Sequence, residues 1–463
     1  MREQALRLRD LDDRTGVVKL IADYIEGARG QRAPEPARQA TFKCILDLLG
    51  AAAAGVGDPG ARAVRTMTLA TMAAGPAPIW FSGLSGSVIG AAWANSAAAA
   101  ALDLDDGHRL ARGHPGAAVI PTAFAVAQET SATLEEFISA IVIGYEVGVT
   151  IGAARLVYGN TGTWSAYAVV ATAAALRRTS VDIIEHALAI AGESAPNQLF
   201  ASAPAQSPAP EGSDVKEGIA WSVVTGLVAL GLAEAGHTGP RNILDSALHY
   251  RFPDDLRLGA ALHIGHVYFK LYAGCRHLHA PLDALRHLID RHGIDVHAID
   301  EINVETYSAA LRISNQIQPV HLVDVQYSIP YCLALVALVG PQALLPLTAA
   351  ALEHDEVTAL ANKVTLSLDP KLDALFPAQT LARVAVTSGG RRFVSDLTAP
   401  EGEATNPLSW EALETKFTAA TRMVATAAQQ RQVLRAINSA RAGDLSALTL
   451  SLARLTLGRG DGH

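Results

Sequence analysis

The sequence predicts a mainly α-helical protein that carries a smaller α+β domain. Three observations carry that reading. Up to about residue 260, apolar residues recur at helical spacing among many alanines and glycines. Beyond it, short segments alternate apolar and polar residues as half-buried strands do, and from Asn406 onward the helical period returns. The expected division is an all-helical domain over residues 1–262, a lid-like α+β domain over 263–403, and C-terminal helices over 404–463 that return to the first domain.

Taken in order, "QATFKCILDLLGAAAAGV" spaces Phe42, Ile45, Leu48 and Leu49 on one helical face. "TLEEFISAIVIGYEVGVTIGAARL" opens with Thr133 and Glu136, the two ends of a capping box. Behind them Phe137, Ile141 and Tyr145 share a face, and Gly144 and Gly148 leave a groove for close packing. "ATAAALRR" continues the small-residue theme, and "SVDIIEHALAIAGE" is a short amphipathic helix entered from Thr179 or Ser180. In the second region "INVETY" and "VTLSL" alternate as strands, and "LARVAVTSGGRRFVSDL" is two strands around a Ser-Gly-Gly turn. Helices at "APLDALRHLIDRHG" and "QYSIPYCLALVALVG" accompany them, and "NPLSWEALETKFTAAT" begins the last helical stretch.

Bulk properties exclude several classes. A chain of 463 residues is too long for one small core, and half of it is apolar with only 5% aromatic residues. The formal net charge of -8 and the lack of any Lys/Arg run argue against a nucleic-acid partner. The opening "MREQALRLRDLDDRTG" has no apolar core and does not read as a signal peptide. The uncharged stretch Thr66–Leu102 is broken by "GPAP" and "SGLSGS", which argues against a membrane span there. The expectation is a cytoplasmic protein. Cys44, Cys275 and Cys332 are too far apart in sequence to frame a disulfide scaffold or a four-cysteine metal site. The Gly-rich ending "GRGDGH" reads as frayed.

The chemistry is concentrated in two places. After the uncharged stretch, the segment Asp103–His114 holds seven ionisable side chains: Asp103, Asp105, Asp106, His108, Arg109, Arg112 and His114. It follows a predicted Ala-rich helix, where carboxylates meet the wrong end of the helix dipole. Gly107 can end that helix and Pro115 can begin the next. The segment is therefore either an acid–base cluster aimed into a cleft or a solvated loop of salt bridges. The second constellation, "YFKLYAGCRHLHAPLDAL", puts Lys270, Tyr272, Cys275, Arg276, His277 and His279 ahead of a helix. His277 and His279 form H-x-H without the further ligands a zinc site needs, so no metal is expected. Cys275 lacks the signature of a nucleophile. Lys270, Arg276 and the histidines suit an anion better.

"ALDLDDGHRLARGHPGAAVIPTAFAVAQ" resembles the signature of the MmgE/PrpD family, an Asp-x-Asp-Asp segment followed by His-Pro-Gly and an apolar helix with an internal proline. "FKLYAGCRHLHAPLDAL", "VQYSIPYCLALVAL" and "NPLSWEALETKF" are similar to three further motifs of that family, in the same order. The resemblance implies an all-helical domain built from both chain ends with an α+β domain between, a homodimer, and catalysis without metal or organic cofactor. Members include 2-methylcitrate dehydratase, cis-aconitate decarboxylase and iminodisuccinate epimerase. They make and quench a carbanion-like centre beside a carboxylate of a small organic acid.

Carried over by motif, Asp103, His114 and Lys270 are the implied catalytic residues, joined by His108 as a replacement group. Arg109, Trp164, Cys275, Arg276 and His279 are the implied substrate-binding residues. The departures are specific. Gly107 stands where many members have threonine, "GNTGTWSAYAVV" lacks a histidine, and Ser207 precedes Pro208 where many have lysine, leaving only Lys216 at the later basic position. Two positive or proton-carrying groups are thus missing, which implies an altered substrate. The expected function is a lyase or isomerase that abstracts a proton next to a carboxylate, foremost a dehydratase of the 2-methylcitrate dehydratase type. The alternatives are an epimerase or decarboxylase of the same family, or a binding or scaffold member without catalysis.

Overall fold

Helix initiation follows local chemistry in the computed structural model, which describes residues 16–157, 160–196, 213–260, 262–352 and 354–457. The charged N-terminus, Ser207 with Pro208, and the Gly-rich tail lie outside those residues. Thr133 and Glu136 form the expected capping box: the Glu136 amide donates to Thr133 Oγ1 at 3.3 Å and the Thr133 amide to Glu136 Oε2 at 2.8 Å. Such a cap stabilises a helix by about 1 kcal/mol. The helix behind it, Leu134–Ala154, packs along Gly162–Arg177. Gly144 and Gly148 make the close approach possible, since a Cβ at Gly144 would lie 2.1 Å from Thr172 Oγ1 and one at Gly148 2.7 Å from Ala168 Cβ.

The molecule is mainly α-helical with a smaller α+β part. One hydrophobic core gathers Phe42, Ile45, Val119, Ile141, Val170 and Ile184 from the first half of the chain with Leu413, Phe417, Val433 and Ile437 from its end. The C-terminal helices Trp410–Thr421 and Ala427–Arg441 thus pack on the N-terminal ones. Lys416 seals the return: it donates to the Asp47 carboxylate on helix Glu35–Gly55 and, at 2.9 Å, to the Leu104 carbonyl. Helices Leu134–Ala154 and Lys216–Glu234 are long and apolar enough by composition to cross a bilayer, but 94% of the first one's apolar window is buried in this core.

Four short strands lie outside the main sheet. β1 (Ala77–Ile79) pairs with β2 (Leu84–Gly86), and β3 (Gly107–His108) pairs antiparallel with β4 (Val267–Tyr268). The main sheet comprises β5 (Ile299–Thr306), β6 (Val364–Leu368), β7 (Arg383–Ser388) and β8 (Arg391–Val394), in the order β6-β5-β7-β8. β5 runs parallel to β6 and antiparallel to β7. The β7–β8 turn is the expected one, with both Gly389 (φ 54°) and Gly390 (φ 75°) in the left-handed region that a two-residue hairpin turn requires.

Ile302, Val304, Val384 and Val386 from the sheet form a second core with Leu282, Leu285, Leu333 and Leu335 from helices His279–His292 and Ile329–Leu338. Leu102 and Leu104 belong to this second core, whereas Ala101 and Ala111 belong to the first. The charged segment therefore runs along the seam between the two cores. Burying each large aliphatic side chain contributes roughly 1.5–3 kcal/mol, so this polar segment is clamped on both sides by apolar packing.

Candidate active site

The charged segment is not a solvated loop. Asp103, Asp105, Asp106, His108 and His114 are all buried, at most 8% exposed. The helix before it, Val88–Ala100, ends well ahead of Gly107, and Asp103 takes φ 51°, a conformation aspartate tolerates better than most residues. In that geometry the Asp103 carbonyl accepts from Lys270 Nζ at 3.0 Å and from the Gly274 amide at 3.2 Å. Lys270 also donates to the Asp103 carboxylate. Four residues on, the β3–β4 ladder sets Gly107 opposite Tyr268 and His108 opposite Val267. This two-residue ladder and the Asp103–Lys270 contacts join the two polar constellations of the sequence.

Together they line a half-open cleft of about 520 Å³, counting the space at its mouth. Asp103, His108, Arg109, His114, Cys275 and Arg276 line it as the sequence led us to expect. Lys270 does not; it is fully buried behind Asp103. His279 and Trp164 also lie off the cleft. His279 is buried with Nε2 3.3 Å from the Gly274 carbonyl. Trp164 is buried against Gly113, Gly148 and Gly152, as a wall behind the loop. His277 of the second constellation also lines the cleft, and further residues reach it unforeseen, among them Glu217, Tyr268 and Tyr327. Glu403 stands behind it, bonded to Arg109 and Arg276.

His114 is the most constrained of these groups. Its amide donates to Thr161 Oγ1 at 3.1 Å, and that hydroxyl donates to Glu217 at 2.8 Å. Its ring Nδ1 lies 2.9 Å from the Asp106 carbonyl. A carbonyl only accepts, so Nδ1 carries the hydrogen and Nε2 keeps its lone pair. The Asp103 carboxylate lies 3.6 Å from Nε2, and that of Asp105 lies 3.5 Å from Nδ1. Asp106 itself accepts from Tyr145 at 2.7 Å and from the Gly116 amide at 3.0 Å.

Electrostatics divides the carboxyls. For Asp103, burial would raise the pKa, but Lys270, His114 and Lys216 outweigh it and hold the group ionised below its usual range. Burial pushes Asp105 up, and Asp106 up to about 7. Asp47 rises to about 6 for the same reason, tempered by Lys416. The Cys275 thiol is pushed well up by burial, which disfavours the thiolate a nucleophile needs. Asp103, Asp105 and His114 offer one donor atom each within 4.8 Å of one another. They are the set that could hold a divalent cation, although the Lys270 ammonium already stands against Asp103.

Burial lowers His108 and His277 to about 3, and lowers His279 further below its ordinary value. The unfolded chain takes up these protons as pH falls below about 6.5, while the folded protein does not, so acidification favours unfolding. Asp47 and Asp106 act in the opposite sense between about 4 and 7, because there the folded state binds the extra protons. Unfolding free energy is expected to fall from pH 6.5 to pH 4, and His277→Phe should flatten that slope in denaturant titrations. A slope unchanged by the substitution would contradict the buried neutral imidazole.

Gly107 has a steric reason. A Cβ there would lie 2.3 Å from the Tyr268 ring and hydroxyl. Tyr268 therefore fills the space that a threonine side chain at this position would claim. Its ring is held in turn by two guanidinium groups, Arg109 at 4.8 Å and Arg276 at 4.5 Å from the centroid. Gly107→Ala is expected to cost about 1–3 kcal/mol through overpacking, read as a lower denaturation midpoint. In a Tyr268→Ala background the added cost of Gly107→Ala should shrink.

A buried imidazole with a fixed tautomer, flanked by carboxylates in a cleft between two cores, is equipped to take up and return a proton, and the family matches that follow support a lyase-type function. The N-terminal domain of the MmgE/PrpD family matches residues 19–249 and its C-terminal domain matches residues 272–440, and the chain belongs to that family. It is also similar to cis-aconitate decarboxylase of Aspergillus terreus, 26% identical over 407 residues that cover 79% of this chain and 81% of the relative. A second sequence of that enzyme, from A. terreus strain NIH 2624 / FGSC A1156, matches to the same extent.

Proposed function

We propose that the protein is a cofactor-independent dehydratase that removes a proton from the carbon beside a carboxylate of a small organic acid, with His114 as the base. The observation that carries this reading is the Nδ1–H contact to the Asp106 carbonyl, which leaves the Nε2 lone pair available at the cleft. When Nε2 takes the proton, the imidazolium forms between the Asp103 and Asp105 carboxylates, and their charge favours it. Lys270 holds Asp103 in place from behind and acts as a positioning residue. The electron pair left on carbon becomes the new double bond as hydroxide leaves the neighbouring carbon. The imidazolium returns its proton to that hydroxide, which departs as water. Buried His108, neutral and without a hydrogen-bond partner at either ring nitrogen among the described residues, is suited to hydrogen-bond the uncharged hydroxyl.

Decarboxylation is the second reading, favoured by the name of the A. terreus relatives. It shares the carbanion-like centre and differs in what leaves. Proton NMR in D2O with 2-methylcitrate, citrate, cis-aconitate, iminodisuccinate and simpler hydroxy acids separates the two. A new alkene signal with loss of hydroxyl identifies dehydration, and release of carbon dioxide identifies decarboxylation. No deuterium entry and no product across the panel would favour the scaffold alternative.

The family resemblance and an exposed apolar stripe of Trp221, Val228 and Leu232 on helix Ile219–Glu234 support a homodimer. Light scattering is expected to give twice the chain mass of 48.5 kDa.

A further inference from the structure

The cleft contains a pair of arginines that already hold a carboxylate. Arg109, from the charged segment, donates through Nε to Glu403 Oε2 at 3.2 Å and through a terminal nitrogen to Glu403 Oε1. Arg276, from the second constellation, donates to Glu403 Oε1 through Nε at 3.2 Å and through a terminal nitrogen at 2.6 Å. The three side chains are 13%, 6% and 14% exposed, so solvent screens them little. Planar guanidinium groups gripping a carboxylate in this way are the usual means of binding an acidic substrate. Here the acid is the protein's own.

We infer that Glu403 sets the acid class the cleft accepts: by occupying the Arg109–Arg276 pair it removes one carboxylate subsite, so the cleft takes dicarboxylic rather than tricarboxylic acids. The inference deepens the proposed function and rests on it. The charge around the cleft agrees. The lining guanidinium groups of Arg109, Arg112 and Arg276 face the lining carboxylates of Asp103 and Glu217, with Glu403 behind. The Lys270 ammonium is committed to Asp103, and Lys216 donates to Gln326. A further carboxylate placed at this end of the cleft would meet guanidinium groups already neutralised by Glu403. Tyr268 closes the same end of the cleft, packed on both guanidinium groups, which leaves the pair fixed in place for a carboxylate to find if Glu403 gives it up.

The test is Glu403→Gln, which keeps the shape and removes the charge. Succinate and tricarballylate are titrated into wild type and variant by calorimetry at pH 7. Wild type is expected to prefer succinate. The variant should bind tricarballylate at least about tenfold better relative to succinate, the scale of one charge-assisted carboxylate contact. Arg109→Gln added to Glu403→Gln should abolish that gain. Should the glutamine variant fail to fold, Glu403→Asp keeps the counter-charge but withdraws it by one methylene, and a smaller shift in the same direction is expected. A folded variant whose preference is unchanged, or which weakens both acids equally, overturns the inference and makes Glu403 a purely structural tie. If wild type still exchanges deuterium into an acid in that case, the proposed function stands. If neither protein binds either acid and no acid on the panel exchanges, both fall together.

Discussion

His114→Ala is expected to lower deuterium exchange and turnover by about 10²–10⁴-fold, the range that loss of a positioned general base produces, with the fold retained. The second half of that expectation follows from where the imidazole sits. It lines the cleft, so its removal admits water instead of leaving a dry hole. What it does leave is the Asp106 carbonyl without its ring partner, a cost of about 1–3 kcal/mol if water does not replace it. His114→Asn is the sharper version. An asparagine side chain can keep an N–H near Asp106 but offers no lone pair on a nitrogen base. Its circular dichroism should match wild type while exchange stays at background. Exchange at wild-type rate in either variant would remove His114 from the mechanism.

Lys270→Met is expected to cost about 3–5 kcal/mol of stability, as breaking a buried ion pair from one side does. Lys270 is fully buried, and the neighbouring Asp103 and Asp105 carboxylates raise its pKa despite the opposing effect of burial. Without it the Asp103 carboxylate is buried beside Asp105 with much less positive charge. The double variant Lys270→Met, Asp103→Asn removes the stranded charge as well and should regain much of the loss in urea titrations. Both proteins should lack activity: the single variant loses the group that positions Asp103, and the double variant leaves His114 without a carboxylate at Asp103 to stabilise its imidazolium. A single-variant loss under about 1 kcal/mol would show that the pair is effectively solvated.

Much of this is legible in the sequence alone. The capping box at Thr133, the Ser-Gly-Gly hairpin and the period change near residue 260 are local signals, and local signals survive into the fold. The charge between two uncharged segments marked the cleft correctly, since buried polar clusters are expensive and rarely idle. What did not read through was non-local. Glu403 lies 294 residues from Arg109, and nothing in "TAPEGEATN" marks it as the partner of a distant arginine. The β3–β4 ladder is two residues long, too short for any alternation to show. Trp164 and His279 carry chemistry-bearing side chains, yet packing against Gly148 in one case and the Gly274 carbonyl in the other sets them off the cleft. The family resemblance implied a ligand contact for both, and neither is among the residues that line the cleft.

The tie from Lys416 to the Leu104 carbonyl spans 312 residues of chain. A ribosome adding roughly 5–20 residues per second needs on the order of 15–60 s to cover that distance. For all of that time the newborn helical half exists without the Lys416 ammonium against Asp47 and the Leu104 carbonyl. The cleft is thus among the last parts of the protein to be completed during synthesis, and a ribosome that stalls short of residue 416 releases a chain whose charged loop lacks its tie to the C-terminal helices.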